Sequence, residues 1–76
     1  MEMDYRQHIA INPEVRGGKP CVKGTRITVG DVLGFFASGM TEKQVLSDYP
    51  ELSNDSIRAC FAYAAAAQEG TQSVVV

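Results

Sequence analysis

Tryptophan is absent, histidine occurs once (His8) and cysteine twice, and these shortages already narrow the field. Cys21 and Cys60 stand 39 positions apart with no C-x-x-C pair, which excludes the disulfide framework of small secreted domains. One histidine and two separated cysteines also fall short of the close ligand pairs of a structural zinc site, so no metal or cofactor is expected. No apolar run approaches the ~20 residues that span a bilayer. No basic n-region followed by an apolar h-region opens the chain. The expected location is cytoplasmic, with no membrane partner. Cations are scarce too: seven Lys and Arg against nine Asp and Glu leave a net charge of −2, which excludes a strongly basic nucleic-acid coat protein.

What remains is a 76-residue chain, read as a single domain over 1–70 with a flexible tail at 71–76. A chain this short buries only ~60% of the surface its unfolded form exposes. Without a disulfide or a metal, a partner subunit is the remaining stabiliser, so a homodimer is expected. The charge is unevenly spread. Residues 1–28 carry a net +2 and residues 29–76 a net −4.

The pattern changes at the same place. Residues 8–28 read as strand and loop: Ile9 and Ile11 alternate onto one face, Asn12-Pro13 and Gly17-Gly18-Lys19-Pro20 are loop signals, and Val22 and Ile27 bracket a tight turn at Gly24. Residues 29–69 read as three helices whose starts share one device, a Ser or Thr N-cap between a preceding apolar residue and another five positions on. The sets are Ile27-Thr28-Val32 with Asp31 as a weak reciprocal partner, Met40-Thr41-Val45 with Gln44, and Leu52-Ser53-Ile57 with Asp55 in the first turn. Gly39, Pro50 and Gly70 are the stop signals. Leu33, Phe36, Ile57 and Phe61 fall on inward stripes. The predicted fold is mainly α (α+β): a short N-terminal β-hairpin followed by a tri-helical bundle whose last two helices form a helix-turn-helix.

Catalysis finds little support. His8 has no nucleophile or orienting carboxylate in register. Gly17-Gly18-Lys19 fails the phosphate-loop pattern twice, since Pro13 and Pro20 stand where a glycine and a Ser or Thr are required. Cys21 lies between Lys19 and Lys23, where a thiol can be reactive, but packing is the simpler role for it and for Cys60. The expectation is a protein that is not an enzyme. Arg16, Lys19, Lys23 and Arg26 form a basic patch within eleven residues, able to meet phosphate or an acidic partner. At the start of the third helix, Asn54, Ser56 and Arg58 are suited to base edges, although Glu51 and Asp55 beside them repel phosphates. The alanine-rich stretch after Arg58, with Ala59, Tyr63 and Ala66, reads as a dimer or partner contact.

The block Ile11-Asn12-Pro13, then Gly17-Gly18-Lys19-Pro20-Cys21-Val22-Lys23-Gly24-Thr25-Arg26-Ile27-Thr28-Val29, resembles the signature of the prokaryotic domain-of-unknown-function family 433. Ala37-Ser38-Gly39-Met40-Thr41, Leu46-Ser47-Asp48-Tyr49-Pro50 and the segment from Leu52 to Ala64 agree with it, so the resemblance covers roughly residues 8 to 66. It implies a homeodomain-like or winged helix-turn-helix fold. For many members it implies an antitoxin that binds a PIN-like nuclease toxin and its own operator DNA, an autoregulatory role. The chain departs from the pattern at Asn54-Asp55-Ser56, where an acid pair is expected. The reading is therefore an antitoxin with helix-turn-helix DNA-binding activity. Its rival is a protein-interaction scaffold that does not touch DNA.

Overall fold

The computed structural model describes residues 4–68, so the Gly70 stop and the 71–76 tail lie outside the described residues. A 3-10 turn at Tyr5–Gln7 leads into β1 (Ile9–Ala10), which pairs antiparallel with β2 (Cys21–Val22) in the register Ile9↔Val22 and Ala10↔Cys21. Three helices follow: α1 (Val29–Ala37), α2 (Glu42–Asp48) and α3 (Asn54–Gln68). A short antiparallel hairpin and three helices are the α+β arrangement expected from the sequence.

The hairpin half is built by turns. The Lys23 N–H donates to the His8 carbonyl at 2.8 Å, extending the ladder by one rung. On its other side, β2 meets the chain again after the Gly24 turn: the Val22 N–H donates to the Ile27 carbonyl at 2.9 Å, and Cys21 bridges Thr28. The turn needs a left-handed residue, and Gly24 supplies it at φ 78°. Because β1 ends at Ala10, the alternation expected to bury both isoleucines stops early. Ile9 is buried and Ile11 is 59% exposed.

Each helix starts with the predicted device, and its apolar end forms the core. Thr28 and Asp31 make a full capping box, stronger than expected, with the Asp31 N–H donating to Thr28 Oγ1 at 2.8 Å and the Thr28 N–H to Asp31 Oδ2 at 3.1 Å. Thr41 and Gln44 repeat it at 3.1 and 2.8 Å. In the third, the reciprocal partner is Ser56, read from the sequence as a base contact: the Ser53 N–H donates to Ser56 Oγ at 2.8 Å and the Ser56 N–H to Ser53 Oγ at 3.1 Å. Val32, Val45 and Ile57, each four positions after its cap, are among the largest fully buried side chains. The caps therefore aim the first turn of every helix at one centre. Each contributes ~1 kcal/mol of end satisfaction beyond that burial.

Two further contacts close the bundle. α1 ends in a Schellman arrangement, with the Met40 N–H on the Phe35 carbonyl, the Gly39 N–H on that of Phe36, and Gly39 at φ 102°. Phe35 stacks on Tyr49 at 4.4 Å, fastening the end of α2 to α1. The inward stripe is corrected in part. Ile57 is buried and Leu33 and Phe36 are half-buried, but Phe61 is 44% exposed, its ring 5.4 Å from that of Phe36. Cys60 takes the inner position one residue earlier, and burial pushes its thiol up to about 11.

Candidate nucleic-acid and partner interface

The basic patch is split by the fold. Residues Arg16, Gly17 and Gly18 all have positive φ (50°, 69° and 85°), so the chain curls left-handed through three successive positions. For a non-glycine such as Arg16 that conformation costs ~1–2 kcal/mol. Its side chain shows what holds it there. The Arg16 guanidinium donates through Nη1 to the Arg26 carbonyl at 2.9 Å and to Asp31 Oδ2 at 3.0 Å. Arg16 is thus a clamp joining the glycine loop, the Gly24 turn and the capping box of α1, and it is withdrawn from the set of free cations. The Asp31 carboxyl is held below the ordinary carboxylate range, first by the Thr28 N–H and then, against the opposing effect of burial, by the Arg16 guanidinium and the Thr28 hydroxyl.

Lys19, Lys23 and Arg26 remain exposed, and none of their side chains makes a hydrogen bond or ion pair among the described residues. Lys23 and Arg26 flank a groove of about 400 Å³ between the loop that follows β1 and the Gly24 turn. Cys21 lines this groove but is 4% exposed, with its Sγ–H on the Lys19 carbonyl at 3.4 Å, a packing role. His8 is half-buried and contributes its carbonyl to the sheet.

At the start of α3, Asn54 and Arg58 are exposed and make no side-chain bond among the described residues. Ser56 is a correction: it is 4% exposed, and its hydroxyl also donates to the Ser53 carbonyl at 3.0 Å, so it caps the helix and cannot reach a base. Glu51 and Asp55 stay exposed beside the two polar side chains.

The alanine surface is corrected as well. Ala59 is 0% exposed and packs in the core, so it makes no contact with a second chain. Tyr63 is half-buried, edge-on to Tyr5 at 5.4 Å, and Ala66 lines a small notch beside that pair. The large apolar side chains left exposed among the described residues are Ile11 and Phe61. Ile11, Phe61, the groove and the Asp31 partner of Arg16 carried no local sequence signal: each follows from where a strand stops or from how segments distant in sequence meet. Among the described residues no three His, Cys, Asp or Glu side chains gather as a metal site, and no helix is long and apolar enough to cross a membrane.

Comparison with known proteins agrees with this architecture. The uncharacterized protein y4eO of Sinorhizobium fredii is 36% identical over 61 residues, which is 80% of this chain and 28% of that protein. The chain therefore spans little more than a quarter of the length of that relative. The crystal structure of a DUF433 member protein from Anabaena variabilis superposes with a TM-score of 0.77 at 30% identity, covering 88% of this chain and 70% of that one. The family described as protein of unknown function (DUF433) matches residues 9–64, from β1 through most of α3, and with the glycine loop, the Gly24 turn and the three caps all inside that span, the chain belongs to the DUF433 family.

Proposed function

We propose that this chain is a DNA-binding antitoxin of the helix-turn-helix type, dimeric on its operator and partnered by a PIN-like nuclease. The observation that carries the DNA reading is the pair Asn54 and Arg58, which stand exposed and without partners among the described residues on the first turns of α3. They can read base edges, while Lys19, Lys23 and Arg26 supply phosphate contacts. A dimer presents two third helices and so selects half-sites about one helical turn apart. Glu51 and Asp55 oppose the phosphates, so affinity of the chain alone is low and strongly salt-dependent. The exposed Phe61 favours a second reading, a protein-interaction scaffold with an apolar contact on α1 and α3.

The test is an anisotropy titration of duplex DNA from upstream of the coding region at low salt, with and without the product of the adjacent gene. Lys23→Ala weakens binding to all sequences alike and lowers the salt slope by about one. Asn54→Ala and Arg58→Ala relax sequence preference by ~1–3 kcal/mol. Absence of binding in both arms favours the scaffold.

A further inference from the structure

We propose that the groove between the loop after β1 and the Gly24 turn is a docking site for an extended acidic segment of a partner protein. The inference goes beyond the DNA reading and does not rest on it: it uses neither Asn54 nor Arg58, and because both readings draw on Lys23 and Arg26, an acidic segment and a duplex would compete there.

The shape comes first. At about 400 Å³ the groove falls within the ~300–1,000 Å³ of ordinary ligand sites, room for a few side chains of an extended strand. Its walls are fixed in advance. On the loop side, the Val15 N–H donates to the Asn12 carbonyl and the Glu14 N–H to Asn12 Oδ1, both at 2.9 Å. On the turn side, the Thr25 hydroxyl donates to the Val22 carbonyl at 2.9 Å and accepts from the Ile27 N–H at 3.0 Å. Arg16, next to the wall residue Val15, ties the two sides together through the Arg26 carbonyl at 2.9 Å. A left-handed Arg16 persists only where its surroundings over-determine it, and a pre-set groove lowers the ordering cost of binding.

The lining selects the ligand. Ala10, Val15, Cys21 and Val22 offer an apolar base, and Lys23 and Arg26 stand at the groove with no partner among the described residues. Asp4 feels the Lys23 charge, but its Oδ1 is held by Arg6 at 3.2 Å. A phosphate backbone would neutralise the two cations and leave the apolar base uncovered. An extended peptide alternating small apolar and acidic side chains matches both features, because successive side chains of a strand point to opposite sides. A second copy of this chain fits less well among the described residues, since Glu42, Asp48, Glu51 and Asp55 lie on helices or on the turn between them, Asp4 and Asp31 are paired with Arg6 and Arg16, and Glu14 sits in a turn of the groove's own loop.

The test titrates the isotopically labelled chain with acetylated, amidated Val-Glu-Val-Asp-Val, its neutral analogue Val-Gln-Val-Asn-Val, and a short DNA duplex. Saturable amide shifts at Ala10, Val15, Cys21 and Gly24 are expected from the acidic peptide, with the neutral one about tenfold weaker or more. Lys23→Ala combined with Arg26→Ala lowers acidic-peptide affinity about tenfold, while Lys43→Ala leaves it unchanged. The charge-swapped pair Lys23→Glu and Arg26→Glu binds Val-Lys-Val-Lys-Val instead. The proposal is overturned by equal response to the acidic and neutral peptides, by shifts confined to other surfaces, or by a duplex that shifts the groove amides more strongly than the acidic peptide at the same salt. Self-association through the groove, seen as concentration-dependent shifts of the same amides without peptide, overturns it too.

Discussion

From β1 to Thr28 the backbone is fixed by left-handed turns and long-range polar bonds. From Thr28 onward it is fixed by three caps that drive Val32, Val45 and Ile57 into a common centre. The first region places its cations outward and contributes few core side chains. The second carries most of the acids and most of the buried volume. Labour is divided accordingly: the helices hold the fold, and the strand–loop region, held to them through Arg16 and Asp31, turns Lys19, Lys23 and Arg26 outward.

Core truncation in the helical region is the largest way to test that division. Ile57→Ala removes a side chain that is 1% exposed and is expected to cost ~2–5 kcal/mol, enough to unfold a marginal domain. Phe61→Ala, at a ring 44% exposed, is expected to cost about 1 kcal/mol. Denaturant melts of the two variants check the ranking. Equal losses would mean that Phe61 belongs to the core after all.

Glycine replacement sharpens the contrast with opposite signs. Gly18→Ala places a Cβ at φ 85° and is expected to destabilise by ~1–2 kcal/mol. Gly34→Ala, inside α1 with no atom within 4 Å of the new Cβ, is expected to stabilise by ~0.5–1 kcal/mol. Thermal melts of both variants, read against the parent, settle the signs.

The joint between the regions titrates. The folded-state pKa of Asp31 is lowered, so its contribution to stability is complete above the ordinary carboxylate pKa of ~4 and is lost as pH falls through the lowered value. Asp31→Asn is expected to be less stable than the parent at neutral pH and to show a flatter acid limb in melts taken from pH 6 to 2. The smallest effect is at Cys60. Its raised pKa means that any stability linked to the neutral thiol is present below the unfolded value and lost as pH rises through about 11. At pH 8 its alkylation is expected to wait for global unfolding, which timed labelling in increasing denaturant would show.

Legibility in the sequence followed the same division. The caps, their apolar partners and the Gly39 stop were readable because every interacting pair lies within five residues. The glycine loop and the tight Gly24 turn were readable as turn signals, and the left-handed Arg16 between them and the sheet was not. The role of Arg16 was not, because its partner Asp31 stands fifteen residues away and nothing local distinguishes a clamp from a solvated cation. Ser56 misled because a small polar residue in the first turn of a helix serves equally as a cap or a base contact, and only burial separates the two.

Under the proposed DNA reading, nucleic-acid contacts fall on two surfaces at once, and amide-shift mapping of the full chain with upstream duplex DNA tests this most directly. The result predicted is salt-sensitive perturbation of Lys19–Arg26 together with Asn54–Arg58, while the exposed face of α2 at Glu42–Gln44 stays still. Perturbation confined to the Phe36 and Phe61 face, or none at low salt, would contradict it.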